Sequence, residues 1–298
     1  MKNSADAIFR DLVPILSFFS FWLGACIASF LNVVIWRVPR GESIVSPPSH
    51  CPKCGSSIKW WQNVPIVSWL ALRGKCANCR APISPRYILV ELLGGLLFLA
   101  AFFKCCPVPS SGPVYWTSMA VSLLVAWIWI SLMIAGSFID FDHQLLPDFV
   151  TVGGMVLGVV WAIFKGVWSV ATFGWSYKAA AWMPVISSVS GLVLGFGLLW
   201  LVRWLGTKAF KREAMGMGDV FLMGAVGALF GPIAVIVTLI VSSVLGSLVG
   251  IALIALSKTK LGKFTAIPFG PYICMGCLAS MFFGPQLVNL YLNLLSLG

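Results

Sequence analysis

Charge is scarce in this sequence. Only 10% of its residues are Asp, Glu, Lys or Arg, where an ordinary soluble domain carries about 25%. That excludes a soluble globular enzyme and a chain kept disordered by charge. Histidine is scarcer still, with His50 and His143 the only two. No Ser-His-Asp set can be drawn from them, and no HExxH metalloprotease motif is present. Apolar and polar residues do not alternate in the strand-like manner of a membrane β-barrel. There is no internal repeat and no low-complexity stretch.

What fills the chain instead is continuous apolar sequence. Hydrophobic residues make up 59%, and the mean hydropathy is +0.96. A membrane span needs about 20 apolar residues. The runs place spans near 12–36, 87–104, 115–139, 149–168, 182–205, 219–232, 233–256 and 269–295. The division between the sixth and seventh rests on Gly231-Pro232. The expected fold is an all-α polytopic membrane protein of about eight transmembrane helices with a small zinc-ribbon-like insertion. Its parts are a first span over 1–36, a cytoplasmic zinc-binding segment over 37–86, and a transmembrane domain over 87–298.

The net charge of +11 could suggest nucleic acid, but membrane proteins collect Lys and Arg in cytoplasmic loops. With 37–86 placed in the cytoplasm, fifteen of the twenty cations fall on that side, Arg203, Lys208, Arg212, Lys258, Lys260 and Lys263 among them. Both termini are then expected outside the cytoplasm, and the partner is the lipid bilayer, not nucleic acid. Trp116, Trp168, Trp175 and Trp182 mark the outer span ends, and Trp36, Trp200 and Trp204 the inner ones, as an aromatic belt does. The first run is too long for a signal-peptide core and follows Asp6 and Asp11, so it reads as a retained span. The connection between the fourth and fifth spans, about 166–182, reads as a long outer loop.

The segment 37–86 is polar, basic and rich in proline. It carries Cys51-Pro52-Lys53-Cys54 and Cys76-Ala77-Asn78-Cys79. Paired CxxC motifs at this separation point to a four-thiolate zinc site, since disulfides are disfavoured in a reducing compartment. Four protein ligands leave no position for a reactive water, so the metal, Zn2+, would be structural. Gly55 suits the tight turn after Cys54, and His50 is surplus to a complete quartet. Cys274 and Cys277 share one face of an apolar span and read as buried core thiols. Cys26 reads as packing, and Cys105-Cys106 face the outside.

Of nine acidic residues, Asp140, Asp142, Asp148 and Asp219 lie at the inner ends of spans, where carboxylates are costly and commonly functional. Asp140 and Asp142 point roughly 200° apart on a continuous helix, so they do not serve one site. Asp148 follows Pro147 and serves either the site or the start of the next helix. Asp219 follows Gly216-Met217-Gly218. Those glycines remove side chains and permit unusual backbone angles, which would let another backbone approach the carboxylate. Asp140 and Asp219 would then form a pair sharing one proton, one acting on a water and the other on a scissile carbonyl. Glu91 is an ionisable residue in an apolar span, either a polar contact or an ion pair with Arg86 or Arg37.

These motifs, taken in order, resemble the bacterial type 4 prepilin peptidases (leader peptidase/N-methyltransferases), members of the GxGD class of intramembrane aspartyl proteases. Gly24 to Pro39, containing Ser29-Phe30-Leu31-Asn32 and Arg37, is similar to the family's opening motif. The cysteine quartet follows, then Ser84-Pro85-Arg86-Tyr87 running to Glu91. Asp140-Phe141-Asp142 through Pro147-Asp148 resembles the first aspartate motif, Gly216 to Asp219 the second, and Pro268-Phe269-Gly270-Pro271 the last. The resemblance implies an inner-membrane aspartic endopeptidase with catalytic Asp140 and Asp219, supported by Gly216, Gly218 and Asp148. It implies cleavage after Gly of the basic leader of type IV prepilins or type II secretion pseudopilins at the cytoplasmic face. It also implies N-methylation of the new terminus with S-adenosylmethionine, an activity associated with the zinc-type segment. One departure stands out: the family often has Lys where this chain has Phe221. A proton-coupled membrane transporter with the aspartates as a relay is the alternative. A zinc-ribbon scaffold is a third reading. The first leaves the quartet and GxGD unexplained and calls for an inverted repeat that is not there; the second leaves the aspartates unexplained.

Overall fold

A computed structural model describes residues 2–106, 113–174, 178–211, 213, 215–256 and 268–296. Arg212, Lys258, Lys260, Lys263 and Trp175 lie outside the described residues. Among those described there are no strands, only two isolated bridges, His50 to Ser57 and Lys75 to Pro82. Seven helices are long and apolar enough to cross a membrane, within a few residues of the expected spans. The eighth apolar helix is shorter. Fourteen residues rise about 21 Å, less than the roughly 30 Å hydrocarbon core.

The chain divides into two compact units, Met1–Ala135 and Gly136–Gly298. The first holds α1 (Lys2–Arg37), the short α2 (Val67–Ala71), α3 (Arg86–Cys105) and α4 (Pro113–His143) up to Ala135. α1 packs along α3. A Cβ on Gly24 would fall 2.5 Å from the Gly94 carbonyl oxygen, so the two backbones meet as small residues allow in membranes. α3 continues onto α4 through the Phe98 and Trp127 rings, stacked 5.4 Å apart. α1 ends in the turn Val38–Arg40, closed by Gly41 at φ +69. Buried Arg37 donates to the carbonyls of Ser43 and Pro47, each at 2.8 Å. Glu91 takes the Ile66 N–H at 2.7 Å. It is therefore a polar contact that fastens the insertion to α3, and Arg37 is committed elsewhere.

The second unit holds the rest of α4, then α5 (Asp148–Phe173), α6 (Lys178–Phe210), α7 (Met217–Phe230), α8 (Pro232–Leu256) and α9 (Gly270–Ser296). α7 is its core. Val220 and every residue from Leu222 to Leu229 are buried, and α5, α6, α8 and α9 all pack on it. Gly191 of α6 and Gly227 of α7 meet backbone to backbone. Gly231, at φ +85, ends α7, and Pro232 opens α8, a division that suits both residue types. The expected long connection at 166–182 is mostly helix: α5 runs to Phe173, since no Pro interrupts it, and stops at Gly174 with φ +82.

Candidate active site and metal centre

Asp140 sits in the last turn of α4 and is 6% exposed, while Asp142 is exposed. The helix closes just beyond it: the Gln144 N–H donates to the Asp140 carbonyl at 2.8 Å, with Gln144 at φ +52. Asp219 is the third residue of α7, whose N-cap is Gly216. It is 8% exposed and lies at the positive end of the helix dipole. Leu146 joins the two: it lies against Gly218, the residue before Asp219, and against Gly270, which meets Asp140 Oδ2.

Neither glycine of the motif uses an unusual backbone angle. Gly216 has φ −66, and Gly218 is helical. The expectation of special dihedrals is corrected: the second glycine supplies space. A Cβ on Gly218 would lie 2.8 Å from the Leu146 Cβ. Gly216, as N-cap, is exposed and has open space beside it, its nearest neighbour being Asp219 Oδ2 at 3.8 Å.

The close backbone approach comes from the other carboxylate. A Cβ on Gly270, the first residue of α9, would lie 2.5 Å from Asp140 Oδ2 and 3.3 Å from Leu146 Cδ1. The Gly270 amide is aimed at the Asp140 carboxylate. Asp140 Oδ2 is buried without a hydrogen-bond partner, which leaves an acceptor for a reacting water or peptide.

Three further residues bear on the pair and carried no signal of it in the sequence. Leu146 wedges between Gly218 and Gly270. Cys274, buried as expected of a core thiol, follows Gly270 by one turn of α9. Arg203 of α6 braces the chain leading into α7. Its Nε donates to the Met215 carbonyl at 3.0 Å, and its Nη2 pairs with Glu213 at 3.1 Å. Asp148 is the first residue of α5 and is exposed; the N-cap is Pro147, so Asp148 is not the cap. Phe221 packs on Phe196, ring centroids 5.7 Å apart, so that position serves packing and offers no cation.

The four cysteine sulfurs of the insertion lie within 4.8 Å of one another. Sulfurs about 2.3 Å from a tetrahedral zinc sit about 3.8 Å apart, and Cys51 and Cys79 are separated by 3.8 Å. Two matching knuckles hold them. Cys51 N–H donates to Ser56 and Gly55 N–H to Cys51; Cys76 N–H donates to Ala81 and Arg80 N–H to Cys76. Gly55 at φ +69 is matched by Arg80 at φ +60. The Ser56 hydroxyl, 3.0 Å from Cys54, and then its backbone draw that thiol down to about 6. At Cys79 the Ala81 backbone pulls downward, but desolvation and the neighbouring cysteines outweigh it and push the thiol up to about 11. The donor set, spacing and knuckles fit Zn2+. His50 stands aside, exposed and 3.1 Å from the Pro48 carbonyl.

Residues 22–105 match the Bacterial Peptidase A24 N-terminal domain, and residues 127–251 match the Type IV leader peptidase family. The type 4 prepilin-like proteins leader peptide-processing enzyme of Escherichia coli is 36% identical, over 87% of this chain and 91% of that protein. This chain belongs to the type IV leader peptidase family. A prepilin leader peptidase/N-methyltransferase of Pseudomonas putida is 33% identical over 92% of each chain. One from Myxococcus xanthus is 39% identical over 81% of this chain and 64% of its own length. No solved structure matches. The first matched region takes in the cysteine quartet, and the second takes in both Asp140 and Asp219.

Proposed function

We propose that Asp140 and Asp219 are the catalytic pair of a membrane aspartic endopeptidase that removes the leader of type IV prepilins, and that the same chain N-methylates the new terminus. The observation that carries the reading is two carboxylates, each less than a tenth exposed, set on either side of Leu146, with one oxygen of Asp140 unpartnered. In this reading the two carboxyls share one proton, as paired buried carboxyls do. The ionised member takes a proton from a water; the protonated member donates to the scissile carbonyl as the water oxygen bonds to its carbon. The Gly270 backbone stands against Asp140 Oδ2, and the buried surroundings of α7 strengthen each electrostatic contact.

Pseudopilins of type II secretion carry the same kind of leader and are included as substrates. The fifteen inner cations support a bacterial inner-membrane protein with its active site toward the cytoplasm. The first span, 1–36, anchors the chain; 37–86 holds Zn2+ through Cys51, Cys54, Cys76 and Cys79; 87–298 carries the peptidase, with Gly216, Gly218 and Asp148 in support. The zinc is structural, since its ligand set is complete. S-adenosylmethionine would supply the methyl group, and the described residues do not single out a site for it. A peptidase family match over both aspartates gives the carrier reading no support.

The test is purified protein in nanodiscs with a prepilin and labelled S-adenosylmethionine, followed by mass spectrometry. The parent should yield the leader-free product carrying a methyl group. Asp140→Asn and Asp219→Asn should leave the prepilin intact, and cleavage at the parental rate by either would remove that residue from the pair.

A further inference from the structure

We propose that Trp60, Trp61, Val67 and Leu70 form a docking surface for anionic phospholipid headgroups, laying the cysteine-bearing insertion on the bilayer. Depth is the first argument. Ile66, the residue before α2, donates its N–H to Glu91. Glu91 is the sixth residue of α3, about 7 Å along the helix from Arg86. Since α3 is a membrane span, this contact lies below the span's polar end. The insertion therefore reaches down beside the span to headgroup level at this point.

Exposure is the second argument. Trp60 is 79% exposed, Leu70 58%, Trp61 52% and Val67 49%. In a polar segment these are large apolar groups left about half exposed or more. They form one surface. Val67 and Leu70 share a face of α2, and the Ser68 hydroxyl donates to the Trp61 carbonyl at 3.0 Å, tying α2 to the Trp60–Gln62 turn. Exposed Trp at this depth is what the membrane interface selects.

Charge names the occupant. Between 37 and 86 there are eight Lys and Arg and one acidic residue, Glu42. Lys59 lies 5.1 Å over the Trp61 ring, and Arg40 lies 3.7 Å over Trp36 at the end of α1. Cations held against interfacial rings face phosphate groups while their stems cover apolar surface. A basic leader peptide would be repelled by this segment, so the surface suits lipid, not substrate.

The test uses the full chain in nanodiscs of phosphatidylcholine alone or with phosphatidylglycerol, and hydroxyl-radical footprinting of Trp60 and Trp61. Phosphatidylglycerol should slow their oxidation by about tenfold, and high salt should reverse the effect. In parallel, a photoactivatable phosphatidylglycerol should label the peptide carrying 60–70. The variant Trp60→Ser/Trp61→Ser should lose the label while keeping bound zinc, which shows the insertion still folded. Equal oxidation in the two lipids would overturn the proposal. So would protection that appears only with a second copy of the chain in the disc, or only on adding a prepilin.

Discussion

Leu146 touches both glycines that shape the site, and the two contacts predict different outcomes for the same kind of substitution. Gly218→Ala brings a methyl against Leu146. Overpacking of this kind costs about 1–3 kcal/mol, and trimming the neighbour should relieve it. Cleavage by Gly218→Ala/Leu146→Ala should exceed that of Gly218→Ala alone. Gly270→Ala instead brings its methyl against Asp140 Oδ2. No truncation can relieve that without removing the carboxylate, so activity should fall by about a hundredfold or more with thermal stability little changed. Rescue of Gly270→Ala by Leu146→Ala would show that Leu146, not Asp140, is the colliding group. The role of Gly218 was legible in the sequence as a need for a residue without a side chain. Its reason was not, because Leu146 reaches it from 72 positions away, and neither 3.6-residue periodicity nor local motif encodes that contact.

At the scale of elements, two connections carry the chemistry-bearing residues, and each has its own fastening. The stretch before α7 hangs on Arg203 through the Met215 carbonyl and Glu213. The Glu213 end is 79% exposed, so the pairing itself is worth little; the bond to the carbonyl is the one that places the chain. Arg203→Met should lower kcat by roughly tenfold with KM little changed, and should speed amide exchange over 211–218. A lysine at 203 offers one donor group in place of a fork, and should recover part of the loss. The insertion is fastened to α3 by Glu91, and its four cysteines fit zinc. Chelation, or Cys51→Ser/Cys76→Ser, should release zinc and expose the amides of 50–84 to exchange, while α5 to α9 keep their protection. Methylation should suffer more than cleavage. Full zinc content in that double variant would contradict the quartet. The cysteine site was legible because metal-ligand spacing is local and repeats. Arg80 in a left-handed conformation was not, since only its counterpart, Gly55, advertises the turn.

For the whole molecule, hydropathy located the spans because lipid demands continuous apolar helices. The break between α7 and α8 falls at Gly231-Pro232, as those two residues signal, and α7 is apolar all round but shorter than the seven spanning helices. The connection after α5 was misjudged: a helix end without proline carries no stop signal until Gly174. The cation count predicts that a reporter fused after 55 faces the cytoplasm and one fused after 296 faces the periplasm. The opposite pattern would overturn the placement of the active site.

The central claim is that Asp140 and Asp219 act as one unit, and single-turnover cleavage by Asp140→Asn, Asp219→Asn and the double variant tests it most directly. Groups that share one proton fail together, so each single variant should lose about a hundredfold or more, and the double variant should be no slower than the worse single. Losses that multiply in the double variant, or parental cleavage in either single one, would contradict the account.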